Sequence, residues 1–91
     1  MIESFEEAVD LLHEAQEAYR NDECSEALSK YYDLAYWVTS THARNSVPAE
    51  QLVEFARKVR RGVAGYQNCE SECLWEKASS LMDIFLTMEG L

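Results

Sequence analysis

MIESFEEAVDLLHEAQEAYRNDECSE, residues 1–26, holds two patterns that share one period. Ile2, Phe5, Val9, Leu12 and Tyr19 repeat at helical spacing, broken only by Gln16, and at about 100° per residue they gather on one side of a helix. Glu3, Glu7, Asp10, Glu14 and Glu17 recur at steps of four, three, four and three and form a row of carboxylates on the other side. The stretch therefore predicts a helix over about 3–20 with a core face and an acid face. Asn21 and Asp22 end it, and Asp22, with Ser25 or Glu26 nearby, suits the cap of a second helix.

Ninety-one residues suffice for one domain that buries roughly 60–65% of its unfolded surface. An apolar content of 47% argues against disorder, and three Gly with one Pro leave too few turns for an all-β chain. The second helix runs to about His42, with Cys24, Ala27, Leu28, Tyr31, Leu34, Ala35 and Val38 on its inner side, and residues 43–47 read as a loop. Pro48 fits the first turn of a third helix, whose stripe is Leu52, Ala56, Val59, Val63 and Tyr66 and whose end is set by Gly65 or Asn68. A fourth helix starts between 69 and 71 and runs to about Met88, closing on Gly90. Its main stripe is Leu74, Ala78, Leu81, Phe85 and Met88, with a second stripe of Trp75, Met82 and Leu86. So wide an apolar arc places it at the centre of the bundle or against a second copy. The expected fold is all-α: a four-helix antiparallel bundle of two helical hairpins in one domain, 1–91.

Ala15, Ala18 and Tyr19, then Asp22, Cys24, Ala27, Leu28 and Tyr31, resemble the helical hairpin of tetratricopeptide repeats and of microtubule-interacting-and-transport domains. Those families place small residues in a first helix, then a turn, then an Ala-Leu pair and an aromatic one turn later. The resemblance spans about a quarter of the chain. The usual turn glycine is replaced by Asp22, the closing proline is missing, and residues 47–89 do not repeat the pattern, so no functional residue is carried over.

Charge is distributed unevenly. The net charge is −9, and residues 1–26 hold nine acids against Arg20 alone, while the remaining 65 hold eight acids and seven bases. A one-sided negative field steers basic partners and repels nucleic acid and anionic membrane, so neither is expected as a direct ligand. Met1 is followed at once by acids, without a basic leader or an apolar run of about 18 residues, so no secretory signal or membrane span is expected. Three cysteines without framework spacing suit a reducing compartment, with Cys24 packed and unbridged and the protein cytoplasmic.

The carboxylate row has no Lys or Arg within it to form the usual i,i+4 pairs, so like charges face one another along the helix. Together with Glu6 it is the candidate partner-binding face: Glu3, Glu6, Glu7, Asp10, Glu14 and Glu17. Its charges rise about 5 Å apart, against one per ~1.7 Å along duplex DNA, so imitation of nucleic acid needs a second row, for which Glu72, Glu76 and Asp83 are candidates. Tyr32, Tyr36 and Trp37 lie off the apolar stripe of the second helix and form a candidate aromatic patch. Trp75, Met82 and Leu86 form a candidate dimer contact.

Other constellations imply less. Arg57, Lys58, Arg60 and Arg61 lack the interleaved aromatics and positive field of a nucleic-acid site. Cys69 and Cys73, with His13 and His42 remote in sequence, do not have zinc-ligand spacing, so no metal and no cofactor is expected. Exposed carboxylates on a straight helix lack the burial that separates an acid from a base, and no nucleophile motif is present, so an enzyme is not expected. These features point to a small acidic binding protein that blocks or shields a basic site on another protein. Inhibitors of nucleic-acid-handling machinery, of the phage anti-defence, immunity or partial DNA-mimic type, share its size and charge. The alternative is a helical adaptor or chaperone-like module holding a partner helix in an apolar groove formed by Tyr36, Trp37, Trp75, Met82 and Leu86.

Overall fold

The computed structural model describes residues 2–64 and 72–88, with side chains from 76 onward in the second segment. Every element in it is helical: α1 (Phe5–Arg20), α2 (Cys24–Val38), α3 (Thr41–Ser46), α4 (Ala49–Ala64) and α5 (Glu72–Met88). The expected ends at Gly65, Asn68 and Gly90, the start at 69–71, and the stripe residues Tyr66, Leu74 and Trp75 lie outside the described residues or side chains.

Ser4 begins α1. Its Oγ accepts from the Glu7 N–H at 3.2 Å, while the Glu7 carboxylate accepts from the Glu3 N–H at 3.1 Å, so the two side chains satisfy backbone donors that the first turn leaves unpaired. At the other end Asp22 has φ 59°, Glu23 N–H donates to the Ala18 carbonyl at 2.9 Å and Asp22 N–H to that of Tyr19 at 3.1 Å. This is the paired C-terminal closure that usually has glycine at the left-handed position. Asp22 therefore ends α1 and does not cap α2. The cap residue of α2 is Glu23, whose side chain makes no capping bond.

α2 stops at Val38, short of the expected end near His42, and a helix replaces most of the expected loop at 43–47. Thr39 Oγ1 and Ser40 Oγ donate to the carbonyls of Tyr36 and Trp37, at 2.9 and 2.6 Å, and end α2. Ser40 Oγ then accepts from the Ala43 N–H at 3.2 Å and starts α3 in what was read as loop. The Pro48 carbonyl accepts from the Leu52 N–H at 3.0 Å as α4 begins.

α2 is the hub, packing against α1, α4 and α5, so of the two expectations for the last helix, central or facing a second copy or partner, the first does not hold. Leu28, Leu34, Ala35 and Val38 have no exposed surface. Truncating either leucine to alanine would cost about 2–5 kcal/mol, a large part of a small domain's stability. α1 packs on α2 and buries Ala8, Leu12, Ala15 and Ala18, mostly small residues that let two helices approach closely. Tyr19, expected on the core stripe, is 46% exposed, because the face α1 buries is rotated toward its alanines. On α5 the buried side chains are Ala78, Met82 and Phe85, while Ile84 and Met88 are exposed.

Candidate partner-binding surface

Glu3, Glu6, Glu7, Asp10, Glu14 and Glu17 are all exposed on α1 and the residues leading into it, opposite the face that meets α2. The acid face survives folding, but its members differ. Glu7 is engaged in the helix start. Glu14 lies 3.7 Å from Lys30 Nζ on α2, and Lys30 also reaches Glu26 at 3.9 Å, so a cation brought by tertiary structure partly neutralises this end of the row. Glu3 contributes its carbonyl to the His42 ring, whose Nε2–H donates to it at 2.8 Å and ties α3 to the chain's start. Glu6, Asp10 and Glu17 make no ion pair among the described residues. Exposed pairs such as Glu14–Lys30 contribute about 0–1 kcal/mol, so Lys30 adjusts the local field more than it fastens the fold.

α2 adds carboxylates that the sequence reading did not assign to this surface. The Glu23 carboxyl is raised above its ordinary value of 4.5, chiefly by a hydrogen bond with Glu26, then by repulsion from Glu26, with Glu17 adding a smaller push. Glu17 and Glu26 thus both act on Glu23 across the turn between α1 and α2. The short turn is the signal in the sequence, since a three-residue connection folds the start of α2 beside the end of α1. The second row foreseen on the last helix is arranged differently. α5 packs along α2 and α4, and Asp83 accepts from Arg60 Nε on α4 at 2.8 Å. Glu76 is exposed, and the Glu72 side chain lies outside the described ones.

The aromatic patch divides. Tyr36 is 64% exposed, and half-buried Tyr32 lies beside it, ring centroids 6.4 Å apart. Trp37 is core: it stacks on Phe5 at 6.5 Å and meets Phe55 edge-on at 6.0 Å, with its ring N–H buried and without an acceptor among the described residues. The Phe5 ring also meets Phe55 at 5.4 Å, so one aromatic cluster joins α1, α2 and α4. In the candidate dimer contact Met82 is fully buried, Leu86 is half-buried against the core, and the Trp75 side chain lies outside the described ones. Met82 therefore has no surface to offer a second copy. Among the described side chains of α5, the exposed large apolar ones are Ile84 and Met88.

Cys24 is disulfide-bonded, which corrects the expectation of a packed, unbridged thiol and removes the premise of the reducing compartment. The other cysteines of the sequence, 69 and 73, lie outside the described side chains. Among the described residues, no three His, Cys, Asp or Glu side chains are grouped to hold a metal ion, and no helix is long and apolar enough to cross a membrane. A small depression between α3, α4 and α5 is lined by Arg44, Val47, Ala49, Leu52 and Phe85, with the Arg44 guanidinium 5.9 Å from the Phe85 ring centre. No protein-family model matches the chain, and no curated protein or solved structure matches it.

Proposed function

We propose that the chain is a non-enzymatic binding protein whose α1 face occupies a basic site on another protein and shields it, on a scaffold of two helical hairpins, α1–α2 and α4–α5, joined by α3. The observation that carries this reading is the exposed row Glu6, Asp10 and Glu17, which folding leaves without a cation while Glu23 and Glu26 extend the negative field onto α2. A field of this kind speeds and orients the approach of a basic surface. Proteins that handle nucleic acid carry basic surfaces that neutralise phosphates, so inhibition of such machinery, in the manner of anti-defence or immunity proteins, is the leading form of the proposal. Single-row spacing suits a local basic groove better than imitation of a whole duplex.

The experiment reverses Glu6, Asp10 and Glu17 to Lys and spares Glu7 and Glu14, which have structural partners. Quantitative mass spectrometry of proteins captured from lysate at about 50 mM salt should show basic partners lost with the variant. Capture by the unaltered chain should also fall steeply by about 300 mM. Circular dichroism and melting should be unchanged. Equal capture by the two chains would end this reading.

A second reading has its own observation. Ile84 and Met88 are 58% and 66% exposed on α5, with half-buried Leu81 one turn away, and such a stripe suits an adaptor that holds a partner helix. That contact would tolerate salt and fail on changing Ile84 and Met88 to Ser.

A further inference from the structure

On α4 the residues Glu50, Glu54, Arg57 and Arg61 follow one another at steps of four, three and four, so they form a single row. The row points away from the core, since Leu52, Phe55, Ala56, Val59 and Val63 make up the buried side of the same helix. All four are exposed, and with Ala49 and Val53 they line a shallow open groove. Two acids followed by two bases also suit the helix dipole, and that alone would explain the order. It does not explain two further facts. Glu54 and Arg57, three apart, could pair within the helix, yet none of the four makes an ion pair among the described residues. The row also inverts about its own centre: turned end for end, Glu50 takes the place of Arg61 and Glu54 the place of Arg57.

We propose that this row is a self-recognition surface, on which α4 of one copy lies antiparallel to α4 of a second copy about a two-fold axis. In that arrangement Glu50 faces Arg61 and Glu54 faces Arg57, and the symmetry repeats both pairs. The charges of each row span about 16 Å, three turns of helix, so four ion pairs form along one helix–helix contact. Ala49 and Val53 supply the little apolar surface there is. The contact is therefore weak and sensitive to salt, because exposed pairs carry it. The occupant is a second copy because the two halves of the row complement one another: a wholly acidic or wholly basic partner would be repelled by half of it. The acid row of α1 plays no part, so this inference is independent of the proposed function.

Two variants test it. Glu50→Arg with Glu54→Arg makes the row wholly basic, and Arg57→Glu with Arg61→Glu makes it wholly acidic. Sedimentation velocity is run at about 100 mM salt, where a Debye length of about 10 Å screens the remote charges of α1 but not contact pairs. The unaltered chain is expected to show a monomer–dimer equilibrium at high micromolar concentration, weakened roughly tenfold at about 500 mM salt. Each variant alone is expected to be monomeric, and an equimolar mixture to form a one-to-one pair within about threefold of the original affinity. Circular dichroism of both variants confirms that they are folded. An unaltered chain that stays monomeric to about 1 mM overturns the proposal, as does a mixture that fails to associate. Dimerisation of both variants alone would place the contact on another face, and tighter association of the basic variant with itself would place it on the α1 acid row. Either result also overturns it.

Discussion

The hydroxyl-bearing edge of the Tyr31 ring on α2 lies so close to Gly62 on α4 that a methyl group added at Gly62 would overlap it. Tyr31 is 2% exposed, and a glycine in the last turns of a helix is here the condition for two helices to meet. Gly62→Ala would gain about 1 kcal/mol of helix propensity and lose about 1–3 kcal/mol to overpacking. The ring is held by its surroundings, so the loss is expected to win by up to about 2 kcal/mol, lowering the melting temperature by roughly 4–8 °C per kcal/mol. With Tyr31→Leu already in place the same change should become neutral or stabilising. An unchanged melting temperature in the original background would show that α4 can shift freely.

Asp22 pays a steric cost for its left-handed backbone, φ 59°, that glycine would not. Asp22→Gly is expected to stabilise the protein by about 0.5–1 kcal/mol, less than the full left-handed penalty because aspartate tolerates that region better than most residues. Chemical denaturation with an unchanged slope would measure it. A loss of stability would mean that the carboxylate supports the turn in some other way.

Glu23 should make stability depend on pH in a definite sense. Its carboxyl is raised in the folded protein, so its favourable contribution is complete below the ordinary value of 4.5 and is lost as pH rises through the raised value. Near neutral pH the repulsion between Glu23 and Glu26 is therefore a net burden. Glu23→Gln is expected to raise stability at pH 7 and to give no advantage well below pH 4.5. Melting curves at the two pH values decide the matter, and an equal gain at both would assign the effect to something other than titration.

The Cys24 disulfide predicts a thiol count. Of the three cysteines in the chain, one bridge leaves one free, so labelling of air-oxidised protein in denaturant should find one thiol before reduction and three after. A bridge from Cys24 to either remaining cysteine closes a loop of about 45–50 residues, for which chain entropy gives about 4 kcal/mol. Reduction should accordingly lower the denaturation midpoint markedly. Three thiols without reductant would show the bridge to be absent in solution.

The four long helices of this protein, in their approximate bounds, and the acid face of α1 were determined by the sequence alone, because period and spacing are local properties; short α3 was not. Carboxylates three and four apart share a side of any helix, whatever surrounds it. The Ser4–Glu7 helix start is an equally local pattern, a serine followed three residues later by glutamate before an apolar run, but periodicity alone had set the start at about residue 3; it removes Glu7 from the freely available row.

Tertiary structure decided which flanking residues are core and which are surface. Trp37 and Met82 sit at the edges of their helices' apolar arcs, and a neighbour had to arrive on that edge to bury them; Ile84 and Met88 sit at an edge where none of the described helices arrives. The same holds for charge. Lys30 meets Glu14 and Asp83 meets Arg60 only because separate helices bring them together, across 16 and 23 positions of chain. Local spacing determines which face a residue occupies, and only the packing of whole helices determines what that face meets.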